Sequence, residues 1–201
     1  WSSDVCSSDL YAWQFDGYWK DVGTLGSYWE ANMELIDLIP EFNLYEEFWK
    51  IYTQQTMLEP QFIAGSASVS KSIIGAGCEI SGEVTNSVLG AGVVVEEGAV
   101  IRDSIVMKAS VIKKGASLEK CIIAENCVVG ENSKLGVGEY AESKLSTKVY
   151  AFDLVVVGEN TVIPDNITIG KNVLVSGVTD EDDYQDGKLE SGGFIIKGVD
   201  E

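Results

Sequence analysis

From Ile63 to Val175, apolar residues recur at every sixth position within short runs, a period that neither a helix nor a flat strand produces. The runs are Ile63 and Val69; Ile74 and Ile80; Leu89, Val95 and Ile101; Val106, Ile112 and Leu118; Ile123, Val129 and Leu135; and Val157, Ile163, Ile169 and Val175. Leu89, Val106 and Ile123 begin successive runs 17 residues apart, and Val157 follows Ile123 by 34, two such steps. A chain that turns a corner after each short strand points one side chain inward per six residues. Three such faces make a triangular coil of about 18, shortened here at one corner.

Corners require dihedrals that most residues avoid. Three positions after an inward apolar residue stand Gly77, Gly92, Gly98, Gly115, Asn126, Asn132, Asn160, Asn166 and Asn172, the types that tolerate positive φ. The expected body is therefore mainly β, a parallel β-helix of hexapeptide repeats over residues 61–178. A β-sandwich would show period-two alternation and hairpin turns instead. Ser72, Ser87, Ser104 and Cys121, spaced 15, 17 and 17 apart, should stack along one edge as a ladder of small residues. Residues 136–154 break the repeat, and 136–144 should bulge out as a loop.

Ahead of the repeat, Tyr11 to Phe15 suggest a short strand, Asp16-Gly17 a turn, and 18–24 a compact loop. A helix should follow, capped by Thr24 or Ser27, with Ser27-Tyr28-Trp29-Glu30 fitting a capping box, and stopped near Ile39 by Pro40, with Trp29, Met33 and Ile36 on one face. Residues 41–60 read as a packed connector, because Phe42, Leu44, Tyr45, Phe48 and Trp49 call for burial. The tail, 179–201, is acidic and expected to be solvated as far as Gly187. Its Phe194-Ile195-Ile196 could dock on an end of the β-helix.

A net charge of −18, from 14 basic and 32 acidic residues, argues against a nucleic-acid or anionic-membrane surface. It leaves small phosphate ligands open, since a few local groups and a divalent cation hold those. No apolar run approaches the roughly 20 residues of a membrane span, and no secretory profile opens the chain, so the expected location is cytoplasmic. The chain has no histidine, and its four cysteines form no Cys-x-x-Cys pair, which disfavours a zinc site and leaves the serines and cysteines without an activating base. Residues 1–10 resemble one translated frame of a sequencing adapter and are set aside as foreign.

The segment Phe15-Asp16-Gly17-Tyr18-Trp19-Lys20-Asp21-Val22-Gly23-Thr24, with Tyr28-Trp29-Glu30-Ala31-Asn32-Met33 after it, resembles the signature that closes the catalytic domain of bacterial glucose-1-phosphate adenylyltransferases. Asn43-Leu44-Tyr45, Ile51-Tyr52-Thr53 and the Leu189-Glu190-Ser191-Gly192-Gly193 ending extend the likeness over nearly all of residues 11–201. The resemblance implies that 11–40 are the last strand, loop and helix of an α/β nucleotidyltransferase domain, that 41–60 join the domains, and that the β-helix is left-handed. It also implies adenylyl transfer from ATP to glucose 1-phosphate, with Asp21 as a Mg2+ ligand and Trp19 near the glucose moiety. A homotetramer under an allosteric small-molecule effector is implied as well.

The family's nucleotide loop, its second metal-binding aspartate and the residues that grip glucose 1-phosphate have no counterpart in residues 11–201, so this polypeptide is expected to be inactive alone. Asp21 read without the family is as readily a turn former or cap as a ligand, and Trp19 as readily core. A non-catalytic regulatory paralogue is the alternative within the family. A hexapeptide acyltransferase, which typically uses a histidine base, is the alternative outside it.

Overall fold

The computed structural model describes residues 11–37, 39–44, 46–48, 50, 52 and 57–198. The adapter-like decapeptide and Tyr45, Trp49, Ile51 and Thr53 lie outside the described residues. Its main body is a parallel β-helix with three faces, of six, seven and seven strands. Each face is a ladder of inward side chains in register. The first runs Ile63, Ile80, Val95, Ile112, Val129, Ile163. The second runs Val69, Val84, Ile101, Leu118, Leu135, Ile169, Leu189. The third runs Ile74, Leu89, Val106, Ile123, Val157, Val175, Ile195. Every sixth-position residue from Ile80 to Val175 is buried, and each such Ile or Leu contributes roughly 1.5–3 kcal/mol on leaving water. Ile63, in the first coil, remains 47% exposed.

All nine corner residues read from the sequence have positive φ, from +54° at Asn160 and Asn172 to +74° at Gly98. The shortened corner, between the second and third faces, is turned by one residue per coil: Lys71, Asn86, Asp103 and Lys120, with φ of 44–55°. A single αL residue reverses the chain quickly, so the inward spacing there falls from six to five. Val84, absent from the sixth-position runs, fills the core where one coil is shorter still.

The small-residue ladder stacks as expected and also carries hydrogen bonds. Ser72 Oγ accepts from the Ser87 N–H at 3.2 Å, Ser87 Oγ from Ser104 N–H at 3.1 Å, and Ser104 Oγ from Cys121 N–H at 3.0 Å. Ser72, Ser87 and Ser104 each also donate to the carbonyl two residues back. Buried main-chain groups at the tight corner are thereby satisfied by side chains.

Several expectations change. Ile123 pairs directly with Val157, so the 34-residue interval is one coil carrying an insertion rather than two coils. Tyr11 to Phe15 form no strand among the described residues; a strand needs a neighbour to receive its ladder bonds. Phe42, Leu44 and Phe48 are 38%, 45% and 98% exposed rather than packed, and the ring that meets this stretch is Tyr18, stacked on Phe42 with centroids 5.9 Å apart. The tail is not all solvated: Tyr184 is buried in the core cluster and shares a 2.8 Å hydrogen bond with Thr179. Strands Lys188–Leu189 and Phe194–Ile196 then carry the β-helix beyond residue 178.

The helix, α1, spans Leu25–Glu34. Thr24 is its cap, and Thr24 and Ser27 form the capping box, so the alternative box starting at Ser27 is not used. It stops short of Pro40, giving way to a turn after Glu34. Among the described residues no helix is long and apolar enough to cross a membrane.

Candidate functional site

The loop bearing Trp19 and Asp21 is held to the β-helix through α1. Leu25, Tyr28, Trp29 and Met33 pack on Ile105, Ile122 and Leu154, which form a second apolar cluster on the outside of the third face. The helix runs along the tight corner, opposite in direction to the coil stack. Asp37, just past its end, pairs with Lys71 at 3.3 Å, and Asn86 Nδ2 lies 4.0 Å from the Met33 sulfur. Trp29 donates its indole N–H to the Asp103 carbonyl at 2.6 Å, while Lys120 Nζ sits 5.3 Å from the Trp29 ring centroid. Gly26 is buried beside Phe152, whose ring carbons would lie 2.7 Å from a Cβ at that position.

Exposure alternates from Tyr18 to Asp21: Tyr18 and Lys20 are partly buried, whereas Trp19, 77% exposed, and Asp21 face outward, and Val22 to Thr24 after them are all exposed. Tyr18 Oη donates to Glu34 Oε2 at 2.9 Å, and Lys20 Nζ donates to Glu34 Oε1 at 2.5 Å. Glu30 lies 3.4 Å from the same ammonium. The hydrogen bond from Lys20, reinforced by that from Tyr18, holds the Glu34 carboxyl below its usual range. The same contacts push Tyr18 and Lys20 up. A cleft of about 540 Å³ opens beside this network, lined in part by Trp19, Glu34, Pro40 and Phe42.

Asp21 Oδ1 accepts the Gly23 N–H at 2.9 Å, an Asx turn that aims the chain into the Thr24 cap. Its Oδ2 has no hydrogen-bond or ion-pair partner among the described residues, so one carboxylate oxygen is available to a cation. Magnesium takes one or two carboxylates and completes its shell with water and substrate oxygens, and Asp21 fits as one of them. Among the described residues no cluster of three or more acidic or thiol groups could hold a metal unaided.

Among the described residues the three thiols offer no alternative chemistry. Burial pushes Cys121 up to about 12 and raises Cys78 and Cys127, so these sulfurs stay protonated and inert. Sequence reasoning gave Lys20 no role, read Glu30 only as a capping-box partner, and passed over Glu34. The available signal was two acids at i, i+4 on α1 together with a lysine alternating with the outward pair.

Fold and repeat define the class: a hexapeptide-repeat β-helix protein. Residues 61–157 match the family model described as GlmU-like, C-terminal hexapeptide. Within that class the chain is similar to proteins named glucose-1-phosphate adenylyltransferase, as the loop motif implies. The Lachnospira eligens protein is 66% identical over 191 residues, 95% of this chain and 45% of its own length. The Thermotoga neapolitana protein is 56% identical, over 93% of this chain and 44% of its own length. That of Thermosipho melanesiensis is 60% identical over 166 residues, 83% of this chain and 40% of its own. The chain thus spans less than half the length of the curated relatives it matches.

Proposed function

We propose that residues 11–201 are the C-terminal half of an enzyme that transfers adenylyl from ATP to glucose 1-phosphate, giving ADP-glucose for glycogen synthesis and releasing pyrophosphate. The observation that carries the reading is the outward pairing of Trp19 and Asp21, on a loop anchored to the β-helix, in a chain 66% identical to an adenylyltransferase. Substitution at phosphorus needs aligned reactants and neutralised phosphate charge more than a reactive side chain. A bound Mg2+ would supply that charge. Asp21 would hold it through Oδ2 while its Gly23 contact fixes the carboxylate plane, and Trp19 would offer an apolar face to the glucose ring.

Among the described residues the chain supplies one acidic ligand and no nucleotide-binding loop, so the isolated polypeptide is inactive. Its β-helix serves assembly into a homotetramer and response to a small-molecule effector, and the whole protein works in the cytoplasm.

The test joins residues 11–201 to the N-terminal half of the Lachnospira eligens relative and measures ADP-glucose formation. The parent should turn over, and Asp21→Asn should lower kcat about 100- to 1000-fold with the melting temperature unchanged. Asn caps and turns about as well as Asp, so turnover within a few-fold of the parent would remove Asp21 from the site. A folded tetrameric parent that makes no ADP-glucose would overturn the function itself and favour a regulatory paralogue.

A further inference from the structure

Among the described residues Glu34 is the one side chain hydrogen-bonded to both inward residues of the loop, and it meets each with a different oxygen. Tyr18 and Lys20 flank Trp19, and in a segment whose side chains alternate, holding residues i and i+2 on one side fixes i+1 and i+3 on the other. The observed exposures follow that rule from Tyr18 through Asp21. We propose that Glu34 is a positioning residue for the reaction proposed above: by accepting from Tyr18 and Lys20 together, it holds Trp19 and Asp21 in their outward orientation.

Three features support this. Glu34 is the last residue of α1, and α1 is fixed to the β-helix by Trp29 and Met33, so the clamp refers the loop to a rigid body. The Lys20 side chain is only 20% exposed, unusual for a lysine, and its charge is met by Glu30 as well as Glu34. Tyr18 is held on its other side by the Phe42 ring, which leaves its hydroxyl directed at Glu34. In this role the clamp acts through the residues it orients.

The inference rests on the adenylyl-transfer reading for its purpose, but the orientation is measurable in this chain without substrate or metal. Backbone 15N relaxation at Trp19 and Asp21 should give order parameters near ~0.85 in the parent and below ~0.6 in Glu34→Ala, with core amides such as Ile112 unchanged. Lys20→Met should loosen the loop, and Lys20→Arg, which keeps the charge and a donor fork, should restore it. In the joined full-length protein, Glu34→Ala should then lower kcat about tenfold and raise the Mg2+ concentration for half-maximal rate, at an unchanged melting temperature. Order parameters at Trp19 and Asp21 that do not move in Glu34→Ala would overturn the clamp, whatever the activity. A loop that loosens with no change in kcat would overturn its positioning role. A parent without ADP-glucose activity would sink the proposed function while leaving the relaxation result to decide the clamp.

Discussion

Trp29 and Asp103, 74 residues apart in sequence, are joined by a 2.6 Å hydrogen bond from the indole N–H to a main-chain carbonyl at the tight corner of the β-helix. That carbonyl belongs to an αL residue, φ +49°, whose geometry turns it toward α1. Helix docking thus draws on the strained corner dihedral as well as on apolar contact.

Trp29→Phe keeps most of the ring but removes the donor and weakens the cation–π contact with Lys120. The two losses together should lower stability by about 1–2 kcal/mol. Urea unfolding followed by circular dichroism checks this, and a stability change below a few tenths would show that the helix is held by packing alone.

Gly26→Ala should destabilise, although alanine favours a helix by about 1 kcal/mol over glycine. The new methyl would lie 2.7 Å from the Phe152 ring. Repeating the substitution in a Phe152→Ala background should recover the propensity gain, so melting temperatures of the four proteins should change sign around the cycle. A Gly26→Ala protein more stable than the parent would show that Phe152 moves aside freely.

Ile112→Asp should unfold the middle of the β-helix. Ile112 is fully buried between Val95 and Val129 in its ladder, and an unpaired buried charge costs several kcal/mol. Thermal melts and proteolysis check it. A folded variant of parental stability would mean the side chain does not point inward.

Alkaline pH should weaken the fold through Cys121. Its folded pKa is raised from 9.0 to about 12, so its contribution is intact below pH 9 and is lost as pH rises toward 12. At pH 10.5 the unfolded chain, but not the native one, is ionised at this thiol, a destabilisation of about 2 kcal/mol. Cys121→Ser, which extends the hydroxyl ladder of Ser104, should lose less stability between pH 8 and 10.5 than the parent. Equal losses in urea midpoint would assign the alkaline sensitivity elsewhere.

The core was readable because one inward side chain per six residues is a property of sequence alone, and Val95, Ile112 and Val129 fall where that period puts them. The glycine and asparagine corners were readable because few residue types tolerate their φ. Lys71 and Lys120 occupy equivalent αL positions without any such compositional mark, and the shortened corner showed only as a missing residue in the count. The loop motif pointed to Trp19 and Asp21 through resemblance. The Glu34 contacts to Tyr18 and Lys20 depend on how the loop folds back over α1, which no local pattern encodes. Phe42 and Phe48 were expected inside because of what they are, but burial also requires a surface to meet them.

A stack of similar coils invites pairing errors, because sliding every strand to the next rung would still bury valine against isoleucine. Here the rungs of the third face stand 15, 17, 17, 34, 18 and 20 residues apart, from Ile74 to Ile195. A shift by one rung would force the stretch between Ile123 and Val157 to span the wrong gap and would drag its insertion across a sheet face. Unequal coil length therefore works as an address on each rung, steering a repetitive chain toward a single alignment as it closes.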